Sequence, residues 1–197
     1  MALQNRVTPE GKIIANPARG GWMGNRGILH DDNKQLQQAR WRHKAWIICK
    51  LNFKGRHRDV MAPNHYTELF FLDEATALAA GHRPCAECRR AAFNAYRDAI
   101  DGKALRAPQI DAQLHSARLD PSKRQKIIWE EWFDLPDGCF VRHEGQVCVI
   151  WKGALHPYSP CGYGPALPRP TSGLTAVLTP GPSLTALRNG YVPQVAL

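Results

Sequence analysis

Glu74-Ala75-Thr76-Ala77-Leu78-Ala79-Ala80-Gly81-His82-Arg83-Pro84-Cys85-Ala86-Glu87-Cys88-Arg89-Arg90 decides how this chain is read. Asp73 stands before it as an N-cap, and Gly81 closes the short helix as a C′ residue. A Cys-x-x-Cys knuckle comes next, and Arg89 to Ile100 reads as a second helix. Two thiols three residues apart can grip one soft metal ion. The surroundings decide whether they do.

Upstream, Tyr66 to Leu72 (YTELFFL) is a strand feeding the helix, and Ala45 to Phe53 (AWIICKLNF) is another β-rich run. Gly27 to Asp31 is a strand expected to pair with Ala45–Phe53, ending in His30-Asp31-Asp32. Residues 1–27 are rich in Gly, Pro and Asn and read as loops. Gly20, Gly21 and Gly24 do not form a strand–GxGxxG–helix unit, which excludes a dinucleotide site.

Downstream, Ala92, Tyr96 and Ala99 mark the inner face of the second helix. Arg89, Arg90 and Arg97 point to solvent, and Gly102 ends the helix. Residues 108–133 read as one or two further helices, with Trp129, Trp132 and Phe133 in the core. After Leu135 the pattern becomes a meander of short strands, Cys139–Arg142, Gln146–Trp151 and Ala154–Tyr158. Pro157–Pro170 reads as an irregular loop and Leu174–Thr179 as a strand. Ser183 is expected to cap a last helix, Leu184–Arg188. The expectation is an α+β fold, with residues 1–134 a basic, zinc-binding, helix-bearing region and residues 135–197 a β-meander with a Pro/Gly-rich segment.

The chain has 197 residues, enough for one domain or two small ones and for an ordinary core. No apolar run approaches the ~20 residues of a membrane span. Met1 to Gly11 lacks a signal-peptide core, so a cytoplasmic protein is expected. Six cysteines could support disulfides in a secreted chain; without an export signal, Cys85 and Cys88 are expected as reduced thiols.

The net charge is +9, unevenly spread: between Arg26 and Arg58 stand nine Lys or Arg against two Asp. Trp22, Trp41, Trp46 and Phe53 border or interrupt that block. Cations interleaved with aromatics suit a polyanion whose bases stack, and equally suit a plain solvated hairpin.

Cys85 and Cys88 need two more ligands for zinc. The redox reading of C-x-x-C lacks its βαβ setting, and iron–sulfur wants more clustered cysteines. Cys49, at the end of a strand, is the expected third ligand and His30 the fourth; His57 and His65 are alternatives. Cys139 and Cys148 read as small strand hydrophobes.

Tyr66-Thr67-Glu68-Leu69-Phe70-Phe71, then Glu74-Ala75-x-Ala77-x-Ala79-Ala80-Gly81-His82-Arg83-Pro84-Cys85-x-x-Cys88, resembles the second half of the zinc-binding N-terminal domain of the Ada methyl-response family. The resemblance covers roughly residues 66–90. It implies zinc on Cys85 and Cys88, an upstream thiolate in Cys49, contact with DNA and a place in DNA repair. That family uses four cysteines, one of which accepts a methyl group from a DNA phosphotriester. Here Phe53 stands where the second upstream cysteine would be. Four thiolates on Zn²⁺ leave a net −2 cluster, whereas three with a neutral imidazole leave −1, a weaker nucleophile. The rest of the chain resembles bacterial proteins carrying the same knuckle, which implies no function.

These readings support three functions. One is a zinc protein contacting nucleic acid, with Arg83, Arg89, Arg90, Lys50, Lys54, Arg56 and Arg58 on phosphates and Cys49 as the reactive residue. The second is a metal-dependent nuclease or hydrolase using His30/Asp31 and the i,i+4 pair Asp111/His115. The third is an interaction module that zinc only staples.

Overall fold

The computed structural model describes residues 2–55, 59–101 and 105–197. It is an α+β arrangement of two sheets and four α-helices. In the first sheet, β1 (Gln4–Val7) and β2 (Ile13–Ala15) form a hairpin. Beside them lie β5 (Leu69–Phe71), β3 (Trp22–Asn25), β4 (Ile47–Cys49) and β6 (Arg83–Pro84). The spatial order is β2-β1-β5-β3-β4-β6. Three of these strands lie in the segment expected to be loops. Each is only three or four residues long, too short to display alternation.

The partner of β4 is β3, not Gly27–Asp31 as expected: Met23 faces Cys49 and Asn25 faces Ile47. Gly24 explains the close approach, because a Cβ there would stand 2.1 Å from the Ile47 carbonyl oxygen. His30 makes only an isolated bridge to Leu36.

Helix α1 (Glu74–Ala79) comes after β5, capped by Asp73, whose carboxylate accepts from the Thr76 amide at 2.8 Å. Every residue of α1 is buried. Gly81 stands just beyond it at φ +83°, the left-handed value glycine tolerates. Helix α2 spans Arg90–Asp101 and buries Phe93 and Tyr96. Its expected end at Gly102 lies outside the described residues.

Helix α3 (Ala107–Arg118) is shorter than expected, because Asp120 and Lys123 turn the chain and Lys123 adopts φ +62°. The next element is a strand, β7 (Ile128–Glu131), at the edge of the second sheet. Strand alternation turns Trp129 outward, 65% exposed, and Phe133 is 75% exposed in the next turn. Only Trp132 of the three expected core aromatics is buried.

The meander is present as β8 (Phe140–His143), β9 (Gln146–Trp151) and β10 (Ala154–Ser159), joined by β13 (Leu174–Val177). Two two-residue strands, β11 (Gly162–Tyr163) and β12 (Leu167–Pro168), pair with β10 inside the segment expected to be irregular. Helix α4 (Gly181–Arg188) begins after Pro180. Ser183 is therefore inside the helix rather than its cap, and its hydroxyl lies 2.8 Å from the Tyr96 hydroxyl. One core cluster takes residues from both sheets, from Val7, Ile48 and Phe71 to Val141, Ile150 and Leu184. Among the described residues, no helix is long and apolar enough to cross a membrane.

Candidate metal centre

The site is built by a strand pairing. Segment 83–85 runs parallel to β4: the Arg83 amide donates to the Trp46 carbonyl at 3.1 Å and the Cys85 amide to the Ile48 carbonyl at 2.9 Å. This register carries Cys49, at the end of β4, to the knuckle. The Sγ atoms of Cys49, Cys85 and Cys88 all lie within 4.8 Å of one another. Three thiolates at about 2.3 Å from one zinc stand about 3.8 Å apart, so a small inward movement fits them to the ion. Among the described residues this is the only group of three or more His, Cys, Asp or Glu placed to share a metal.

The knuckle is prepared for negative sulfur. The Cys85 thiol is held down at about 5, chiefly by a hydrogen bond from Cys49 and then by the amides of Cys88 and Glu87. The Glu87 amide lies 3.4 Å from that sulfur. Cys88 is lowered too, by Cys49 first and by the Lys50 amide. Cys49, the donor to both, is pushed far up. Three sulfurs this close cannot all ionise without a cation among them. The donor set is soft and suits zinc.

The cluster opens onto a cavity of about 320 Å³. Its floor is one face of the first sheet. Successive strand residues point to opposite faces, and the cross-strand row Phe70–Met23–Cys49, with Asn25 and Ile47, lines the cavity. The other face sends Ile48, Leu69 and Phe71 into the core. Glu68, read from the sequence only as a strand residue, also lines the cavity and is 2% exposed. Its Oε2 accepts from the Met61 amide at 2.7 Å, while Oε1 is buried without a partner among the described residues. An acid inside the apolar run Tyr66–Leu72 is the signal that marks it in the sequence. Cys49 is half-buried, whereas Cys85 and Cys88 are each 8% exposed.

His30 is not brought to the cluster. Its Nε2 donates to the Ala62 carbonyl at 3.2 Å and its Nδ1 lies 2.7 Å from the Thr67 hydroxyl, so both ring nitrogens are spent. His65 is exposed, and His57 lies outside the described residues. His82 is fully buried beside Arg26 and Phe71, away from the sulfurs.

The expected phosphate contacts divide. Arg83 is buried, with Nε and Nη2 each donating at 2.9 Å to the two oxygens of Asp111. Arg89 is buried against Glu74 at 2.8 Å and stacks 3.9 Å from the Trp22 ring. Neither guanidinium faces solvent, which corrects the sequence expectation. Ion pairing inside the fold, invisible as spacing, claims both. Arg90, Lys50 and Lys54 are exposed, and Arg56 and Arg58 lie outside the described residues.

The alternative hydrolytic constellation does not assemble. Asp111 is committed to Arg83, and the His115 Nδ1 accepts from Arg118 at 2.9 Å. Asp31 caps its own turn, accepting from the amides of Asn33 and Gln35 at 2.9 Å each.

Comparison with family models, with curated proteins and with solved structures found no match to this chain. Three cysteines placed to hold a metal ion, on an α+β scaffold, are therefore what defines this protein.

Proposed function

We propose that Cys49, Cys85 and Cys88 hold one zinc ion, and that the protein contacts nucleic acid over the mouth of that centre in DNA repair or a damage response. The convergence of three thiols on one point carries the reading. Bound zinc would polarise an atom entering from the cavity or keep a sulfur nucleophilic. Lys50 lines the cavity, and the Lys54 ammonium sits 5.2 Å from the Phe53 ring. With Arg90 they supply exposed positive charge for a phosphate backbone. The likeness of residues 66–90 to the Ada zinc domain supports the same direction. Cys49 is the least buried residue of the three.

Fluorescence anisotropy with a labelled duplex, at 50 and 200 mM salt, tests the nucleic-acid part. Binding that weakens steeply with salt, and weakens further in Lys50→Gln/Lys54→Gln, is expected. No binding at the lower salt contradicts it.

Glu68 favours a second reading, metal-assisted hydrolysis. A buried carboxylate that shares a cavity with the three cysteines, one oxygen of it unpartnered among the described residues, could serve as general base to a water that a bound metal would activate. Glu68→Gln would then abolish metal-dependent cleavage and leave zinc content intact. Unchanged cleavage sinks this reading.

A further inference from the structure

Among the described residues four arginines are almost fully buried: Arg26, Arg83, Arg89 and Arg118. Arg83 and Arg89 each meet a carboxylate, as a buried charge requires. Arg26 and Arg118 do not. Arg26 donates to the Gly11 carbonyl at 3.1 Å and to His82 Nε2 at 3.3 Å, and its Nη2 has no partner among the described residues. Arg118 donates to the carbonyls of Gly81 at 2.8 Å and Lys44 at 2.9 Å, and its Nε has no partner among them either. Their Cζ atoms lie 3.9 and 3.6 Å from the Trp46 ring centroid. Two positive charges are thus buried side by side around one indole, and among the described residues no carboxylate makes an ion pair with either; the nearest acid felt by Arg118, Asp111, is already paired with Arg83.

Both line a second cavity, of about 960 Å³. Trp46 lines it and immediately precedes β4, whose Ile47 and Cys49 line the metal cavity. The two acids on its wall are engaged: Glu10 with Lys12 and Arg142, Asp120 with Arg124. Arg40, Lys123 and Lys126 add further positive charge to the same wall. Trp41, 5.9 Å from Trp46 between ring centroids, adds a partly exposed aromatic surface.

We propose that this cavity binds a nucleotide, its phosphate against Arg26 and Arg118 and its base against Trp41. An external phosphate in the cavity would supply the missing counter-charge. The flanking cations extend the field, and the space exceeds what inorganic phosphate fills. The nucleotide is either free or the 5′-terminus of a strand. This site does not depend on the thiolate centre.

Titration of the full chain with AMP, adenosine, a 5′-phosphorylated oligonucleotide and its 5′-hydroxyl counterpart, monitored by tryptophan fluorescence at 50 mM salt, tests the assignment. AMP or the phosphorylated strand is expected to bind at least tenfold more tightly than its phosphate-free counterpart. AMP binding identifies a free nucleotide; binding of the phosphorylated strand alone identifies a strand end. Arg26→Gln should abolish that preference. If that variant fails to fold, the exposed pair Lys123→Gln/Lys126→Gln should still weaken phosphate-bearing ligands several-fold. Equal affinity for AMP and adenosine together with equal affinity for the two strands, or no loss in either cavity variant, would overturn the proposal.

Discussion

Cys49 differs from the other two cysteines in exposure as well as in its raised thiol: the residue is half-buried, and they are buried. With zinc bound, an alkylating reagent such as iodoacetamide should modify Cys49 first. Peptide mapping that finds Cys85 or Cys88 modified earlier would remove Cys49 as the reactive sulfur. Three thiolates on Zn²⁺ leave one negative charge, so the alkylation should be slower than at a four-thiolate site. His82 makes a different residue-scale prediction. Burial first, then Arg26 and Arg118, pull its pKa well below the ordinary value near 6.5. The unfolded chain therefore takes up a proton that the folded chain refuses. Stability from this group is present above about pH 6.5 and falls below it, by up to ~1.4 kcal/mol per pH unit. Urea melts at pH 7 and pH 5.5 check this, and His82→Phe should flatten the slope.

At the scale of elements, α3 and the strand before the knuckle are held by a pair that sequence spacing does not reveal. Asp111 on α3 clamps Arg83 on β6, with side chains 9% and 5% exposed. Asp111→Ala should cost about 3–5 kcal/mol because it strands a buried guanidinium. A thermal melt measures it, and a shift within error would mean the pair is not holding α3 to the knuckle. Gly81 makes a second contact between the same elements. A Cβ there would meet Arg118 Cδ at 2.5 Å, and its φ is +83°. Gly81→Ala should cost about 1–3 kcal/mol through backbone strain and displacement of Arg118.

These elements also show what the sequence makes legible. Asp73, Gly81 and the cysteine spacing are local signals, and the strand, helix and knuckle around them stand where they imply. The meander is legible because its strands are four to six residues long with turn glycines between them. The first sheet is not, because β1, β2 and β3 are short and sit among glycines that serve close backbone approach. Cys49 stands out from its place at a strand end. His30 does not reach the sulfurs because its expected strand does not exist. Arg83 and Arg89 look solvent-facing in sequence because a charge on a turn gives no hint of a buried carboxylate partner.

Across the whole molecule, the cationic block between Arg26 and Lys54 is divided by the first sheet. Lys50 lines the thiolate cavity, while Arg26, Arg40 and the two tryptophans Trp41 and Trp46 line the other. The two cavities lie against β4 and its flanking residue Trp46. The C-terminal segment is tied to α1 as well. Tyr191 and Gln194 donate to Glu74, the carboxylate that holds Arg89. Chelation of the metal should therefore loosen more than a local turn. A lower melting temperature in the presence of a strong zinc chelator, restored by added zinc, is expected.

The most direct test of the thiolate centre is zinc-edge X-ray absorption on the purified full chain. One zinc per chain, with three sulfurs at about 2.3 Å and one lighter atom, is the expected result. Cys49→Ser should reduce the sulfur count to two. Protein without metal after purification in zinc-containing medium, or a sulfur count that Cys49→Ser leaves unchanged, would contradict the assignment.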